Sequence, residues 1–458
     1  MNGRRAEQTL GWVDATLVVI FLLGLYLNVS LQITSKIPLT CAPSGLAGLI
    51  LLWRRRDQLN PVHLGGLLAV VALYVGSTLS ASNYEHLPKR FTGLLQLVYS
   101  LVISYAFFVT LVHTERRQIA WILLMFCVAI AVGCLLEEHA GLRGVSDAVR
   151  ERLYNSRIVY DADLRDEMLY GRVRPKLFTS EPSAVTFAYT QYSFAWLVVC
   201  RWRWKLVVYI ALMALGLVLM PGPTLLLMLM LAVPYLIFLG GQEGQSGRSG
   251  ATATRLFAGL SLSVVLVGAA LVVGSSLFAE RIAEYSSGKD ASFFYRVLGP
   301  MLVAFDVFKH HPWAGAGLTG EQYIADDVLN VYMNSGDFQA AWRIPKIGDV
   351  LTNYFWLHWI YLGLVWGTLM FIALSVWLRL LGVPSVLFCW AVWVILGQAS
   401  GAYVGPRTWS VLLMAAAGSV LVRRTLSEPH LRSAGPPLSE RLARLRHPDG
   451  ARISQVLS

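Results

Sequence analysis

The chain has 458 residues, of which 56% are hydrophobic and only 14% charged, too little polar surface for a soluble protein of this length. At ~20 residues per spanning helix, that apolar share suffices for about a dozen spans and excludes the ordinary globular classes. The formal charge of +11 would suggest nucleic acid on a soluble chain; here cations holding cytoplasmic helix ends explain it first, any surplus outside the membrane can meet an anionic ligand, and no nucleic-acid partner is expected.

The start, MNGRRAEQTLGW, runs into an apolar stretch longer than a signal h-region and without a small-residue cleavage site, so the first span is expected to stay. Apolar runs follow at 12–31, 37–53, 62–80, 93–113, 118–136, 182–200, 206–220, 224–239, 256–278, 351–378, 383–399 and 408–422. The seventh and eighth come from one stretch divided at Met220-Pro221-Gly222-Pro223, because two prolines around a glycine end a helix.

The charges between runs test that division. With the N-terminus inside, the inner segments carry Arg4-Arg5, Arg54-Arg55-Arg56, Arg116-Arg117, Arg201/Arg203/Lys205, Arg248/Arg255, Arg379 and Arg423-Arg424, whereas the short outer loops hold only Lys36, Lys89-Arg90 and Arg407. Twelve spans with both termini cytoplasmic satisfy the positive-inside rule throughout. The expectation is an all-α polytopic membrane protein over 1–424, with long outer loops at 137–181 and 279–350 and a basic, disordered or membrane-surface tail at 425–458. Cys41, Cys127, Cys134, Cys200 and Cys389 lie in or beside apolar runs without close pairing and read as packing residues.

Long loops are usually functional. The first holds Arg143, Arg150, Arg152, Arg157, Arg165, Arg172, Arg174 and Lys176 among carboxylates, and the second Arg281, Lys289, Arg296, Lys309, Arg343 and Lys346. Solvated loops with internal ion pairs are the plain alternative. The span interiors are almost free of ionisable groups, holding Asp14 near the inner boundary of the first and His358 in the tenth. That scarcity weighs against an ion-coupled transporter and moves the chemistry to the outer face.

There, Phe294, Val297, Met301, Phe305 and Phe308 keep helical spacing, and Arg296 projects from another face. A helix of this kind in the membrane interface would hold a guanidinium at phosphate level, or the arginine could simply snorkel to lipid. His310-His311 precede Pro312-Trp313-Ala314-Gly315-Ala316-Gly317-Leu318-Thr319-Gly320, formally GxGxxG but without the strand a dinucleotide site needs, so a tight turn with exposed N–H groups is the better reading. The histidines could supply a general base or be interfacial. Asp161-Ala162-Asp163 has the form of a metal-binding DxD, a match common by chance.

Taken together, these residues resemble the O-antigen polymerase/ligase superfamily, bacterial inner-membrane glycosyltransferases that use undecaprenyl-pyrophosphate-linked glycans. The likeness rests on Arg296 with its following helix and HPWAGAGLTG, on Arg174-Pro175 leading to Ser180-Glu181-Pro182-Ser183, and on Asn353 followed by Gly363 and Gly367. It implies transfer at the periplasmic face for O-antigen or exopolysaccharide synthesis, without cofactor or metal: Arg296, Arg174 and Arg407 at the pyrophosphate, His311 or Glu181 as base, and His310 and Asn353 beside the substrate. Tyr323, Tyr332 and Trp342 are further candidates for glycan contact. Membrane lipid, a chain-length regulator and a flippase are the implied partners. Thr352 stands where the family's ligases carry histidine, which favours a polymerase over transfer to lipid A core; a polyprenyl-linked glycan transporter is the alternative from another class. The family's Ser-Arg between the two short spans is replaced by Pro221-Gly222-Pro223-Thr224, with Arg407 as a substitute on grounds of charge and side.

Overall fold

The computed structural model describes residues 9–34, 37–81, 84–154, 159–240, 268, 272, 294–334 and 347–427. They form an all-α membrane protein whose helices are α1 (Trp12–Leu27), α2 (Ala42–Arg54), α3 (Pro61–Ser80), α4 (Leu87–His113), α5 (Arg116–His139), α6 (Leu142–Leu153), α7 (Asp163–Tyr170), α8 (Pro182–Val199), α9 (Lys205–Leu219), α10 (Leu227–Pro234), α11 (Gly299–His310), α12 (Ala325–Asn334), α13 (Ile347–Val350), α14 (Tyr354–Leu380), α15 (Val386–Gly397) and α16 (Pro406–Ser427). A two-stranded antiparallel ribbon, β1 (Leu31–Thr34) and β2 (Ile37–Leu39), links α1 to α2. Among the described residues, five helical segments are long and apolar enough to cross a membrane, Pro61–Ser80, Tyr84–His113, Arg116–His139, Pro223–Gly240 and Tyr354–Leu380, and α1, α9 and α15 are shorter apolar helices.

The sequence pattern explains most of these boundaries. Proline in the first turn starts α2, α3, α4 and α8, where its missing N–H is not needed. The break at Pro221-Gly222-Pro223 is where it was expected: α9 ends at Leu219, and the chain resumes as a 3-10 turn (Pro223–Leu226) into α10. Other expectations need correction. The run at 37–53 begins as a strand, α16 continues past residue 424 to Ser427, and the segment 137–181 is not an open loop but contains the end of α5 and all of α6 and α7. The ninth run apart from residues 268 and 272, together with Arg281, Lys289, Arg343, Lys346, Trp342 and the tail beyond 427, lies outside the described residues.

Small residues let the helices approach, as expected where lipid offers no hydrophobic drive between them. A Cβ on Gly24 of α1 would meet the Ser44 backbone of α2 at 2.3 Å, and Ser44 Oγ donates to the Phe21 carbonyl at 2.7 Å. Ser104 of α4 and Ser410 of α16 share a hydrogen bond of 3.0 Å. All five cysteines are free and buried, in keeping with packing roles. His358 is a satisfied core residue, with Nδ1 at 2.9 Å from the Tyr403 hydroxyl and Nε2 at 3.0 Å from the Gly367 carbonyl. Leu46, Leu68, Trp121, Val218 and Leu387 remain exposed around the bundle, as lipid solvation permits.

The two ends of the bundle differ in charge. At one end Asp14 bridges Arg54 and Arg55, both at 2.6 Å, and the Leu10 N–H reaches Gln118 at the start of α5. Arg116 donates to the carbonyls of Val198 and Val199 closing α8, Lys205 to Cys200, and Arg424 to Val112 at the end of α4. The cations thus satisfy carbonyls that helix ends leave open. The opposite end carries α6, α7, α11, α12 and the heads of α8, α14 and α16.

Candidate functional site

The segment between α7 and α8 is a constrained platform. Leu177 and Phe178 both adopt positive φ, 33° and 64°, a conformation that non-glycine residues hold only where surroundings impose it. Glu137 imposes it by accepting from the Lys176 and Leu177 N–H groups at 2.9 and 2.6 Å, and Ser146 accepts from the Phe178 N–H at 2.9 Å. Buried Arg150 donates to the Thr179 and Ser180 carbonyls at 2.7 and 3.0 Å. The Tyr26 hydroxyl donates to Leu177, and the Tyr154 hydroxyl to Leu27 and Phe178; burial pushes Tyr154 up to about 12, so it stays a donor.

This platform presents Arg174 and Glu181. Arg174 is mostly buried, paired with Asp166 at 2.8 Å, with its guanidinium carbon 4.9 Å from the Tyr170 ring and 5.8 Å from the Tyr160 ring. Burial alone would lower its pKa, but the Asp166 hydrogen bond and neighbouring negative charge raise it. Glu181 is the N-cap residue of α8, half-buried, and among the described residues its carboxylate has no hydrogen-bond or ion-pair partner. Asp163 of the DxD pairs with Lys176 at 2.8 Å, so that motif acts as half of an ion pair.

Arg296 lies in the helical turn Phe294–Leu298 that leads into α11. Its half-buried side chain likewise has no partner among the described residues, while its backbone is fixed. Fully buried Asn353 donates from Nδ2 to the Arg296 carbonyl at 2.7 Å and to Gln398 at 2.9 Å, while its Oδ1 caps α14 by accepting from the Phe355 and Trp356 N–H groups. Thr352 Oγ donates to the Tyr295 carbonyl at 3.1 Å. Asn353 is therefore occupied in holding Arg296 to the head of α14.

The glycine turn is the largest correction. Its N–H groups are not exposed: those of Ala316 and Gly317 donate to Ile360 and Tyr361, each at 2.9 Å, and the Pro312 carbonyl accepts from Leu364 and Val365. These are the backbone groups that α14 leaves open where Gly363 breaks it (φ 65°, ψ −172°). The turn plugs the break, and glycine is required because a Cβ on Gly315 would lie 2.3 Å from the Ile360 carbonyl oxygen and one on Gly363 2.7 Å from the Gly315 nitrogen. Buried Arg90 anchors the turn from α4, donating to the Ala316 carbonyl at 3.0 Å.

The predicted site residues do not all converge. His311 is separated from Arg296 by the whole of α11, about 18 Å for its length, so the two do not share one reaction centre. His310 is exposed and pairs with Asp306 of its own helix, and the His311 ring lies against Tyr323. Tyr332 is buried, its hydroxyl donating to Val350. Arg407 donates to the Leu25 and Tyr26 carbonyls, each at 2.6 Å, which makes it a cap on α1. The cations that reach the α9–α10 turn are instead Arg172, which donates to Val218, and Arg174, whose Nη1 lies 3.9 Å from where a Gly222 Cβ would stand. The buried face of α11 is Gly299, Pro300, Val303, Ala304 and Val307, while Phe305 and Trp313 are 49% and 72% exposed, an aromatic surface suited to a membrane interface.

Sequence reasoning missed Glu137, Arg150, Asp166, Tyr160 and Arg90. Burial of a charge is invisible in a polar segment; the only hint was the density of cations and carboxylates at 137–181. Comparison with family models, with curated proteins and with solved structures yields no significant match.

Proposed function

We propose that the chain is a glycosyltransferase resembling the O-antigen polymerase/ligase superfamily, polymerising undecaprenyl-pyrophosphate-linked repeats at the periplasmic face of a bacterial inner membrane. The topology proposed is twelve spans with both termini cytoplasmic. In support, the basic residues at 54–56, 116–117, 201–205 and 423–424 collect at one end of the bundle, and the opposite end carries the candidate site. The observation that carries the activity is Arg296: a half-buried guanidinium without a partner among the described residues, its backbone clipped to the head of α14 by Asn353. An arginine held this way suits bidentate pairing with a diphosphate.

In the proposed reaction an acceptor hydroxyl attacks the anomeric carbon of the lipid-linked chain, the bond to the diphosphate oxygen breaks, and diphosphate leaves with its lipid. Arg296, with Arg174 from the α7–α8 platform, neutralises the charge that develops on it. The acceptor proton goes to Glu181, since α11 separates His311 from Arg296. Thr352, engaged with the Tyr295 carbonyl, offers no base where a ligase would need one, which favours polymerisation over transfer to lipid A core.

Purified protein given a lipid-linked repeat tests this. A product ladder is expected; a single transfer to lipid A core would make it a ligase, and translocation of the lipid across vesicles without transfer would make it a transporter.

A further inference from the structure

The cluster at the far end of α11 from Arg296 has a chemistry of its own. Asp306 and His310 are four residues apart on α11 and therefore share a face; Asp327 comes from the first turn of α12. One donor atom from each, an imidazole nitrogen and two carboxylate oxygens, lies within 4.8 Å of the others. At metal–ligand lengths of about 2.0–2.2 Å, donors around one ion sit roughly 3–4.3 Å apart, so the three need only a small inward shift. Neither carboxylate has a lysine or arginine partner among the described residues; they face imidazoles instead, His310 Nδ1 at 3.4 Å from Asp306 and His311 Nε2 at 3.9 Å from Asp327. Two carboxylates from separate helices thus converge on imidazoles, an arrangement that a cation would stabilise.

The scaffold is firm enough to hold such a site. Tyr332 of α12 is buried, donates to Val350 at 2.7 Å, stacks on Tyr295 at 5.8 Å and meets Phe294 edge-on at 5.0 Å, fixing α12 against the start of α11. Partial exposure of the cluster leaves coordination positions for water.

We infer that Asp306, His310 and Asp327 bind a divalent transition-metal ion that ties α11 to α12, with His311, whose Nε2 lies 3.9 Å from Asp327, as a further donor. Mixed imidazole and carboxylate donors suit Zn2+ or Mn2+ better than Mg2+ or Ca2+, which favour all-oxygen sets. The site departs from the metal independence expected of the sequence. It does not rest on the glycosyltransferase assignment, because the donors stand on geometry alone.

Full-length, tag-free protein, stripped with chelator and exchanged into detergent buffer, is titrated calorimetrically with Zn2+ and separately with Mn2+. One saturable site per chain is expected for at least one ion, with a rise in Tm on loading. Asp306→Asn and Asp327→Asn should each weaken binding at least tenfold, and so should His310→Ala, whose exposed side chain makes misfolding no explanation for the loss. His139→Ala, at the end of α5, should bind as wild type. Absence of saturable binding for both ions, or equal affinity in wild type and the three cluster variants, overturns the inference.

Discussion

Arg296 and Asn353 divide two tasks that substitution can separate. On the proposed function, Arg296→Ala should abolish chain elongation while expression and membrane insertion persist, and Arg296→Lys should restore only part of the rate, because an ammonium cannot pair bidentately; elongation at wild-type rate in the alanine variant would remove Arg296 from the site. Asn353→Ala should cost about 1 kcal/mol of stability through the lost cap and also slow elongation. Asn353→Asp keeps the capping oxygen but loses the donor to the Arg296 carbonyl, so its melting temperature should recover more than its rate. His311→Ala should lower the rate less than about tenfold, under 1.4 kcal/mol, since α11 holds it away from Arg296. At this scale the sequence marked residue type and neighbourhood. It could not show that the Arg407 guanidinium faces the carbonyls closing α1, nor that Arg174 meets Asp166, because both depend on which helices become neighbours.

The broken helix is the element whose packing is least tolerant of change. Gly315 and Gly363 have positive φ, 54° and 65°, and backbone atoms of the other segment within 2.7 Å of any added Cβ. Gly363→Ala and Gly315→Ala should therefore destabilise the purified protein by at least about 2 kcal/mol, left-handed strain adding to a backbone collision. Gly65→Ala, in α3 with nothing within 4 Å of an added Cβ, should be neutral or stabilising by up to about 1 kcal/mol. Melting curves of the three variants in one detergent compare them; equal melting for Gly363→Ala and Gly65→Ala would contradict the docked-turn geometry. The glycines identified a turn from sequence, yet its receptor, the gap in α14, was hidden in an apolar run because a single glycine is tolerated in most spans. Likewise α6 and α7 were hidden in a segment whose charges read as solvated, and whose burial comes only from the platform they clamp.

Across the whole molecule, separation of charge between the two ends was legible because it follows from counting cations between apolar runs. The native cysteines are all buried, so a maleimide reagent should leave the wild type nearly unlabelled. Cysteine at exposed Lys309 should then react in cells with a permeabilised outer membrane, and cysteine at exposed Arg56 only after the inner membrane is opened; the reverse pattern would invert the topology. The central proposal, a lipid-linked diphosphate met by Arg296 and Arg174, is tested most directly by binding. Purified wild-type protein should bind undecaprenyl diphosphate saturably in calorimetry, with undecaprenol as the uncharged control, and affinity should fall at least tenfold in Arg296→Ala. Binding of the two lipids with equal affinity, or an Arg296→Ala affinity equal to wild type, would contradict it.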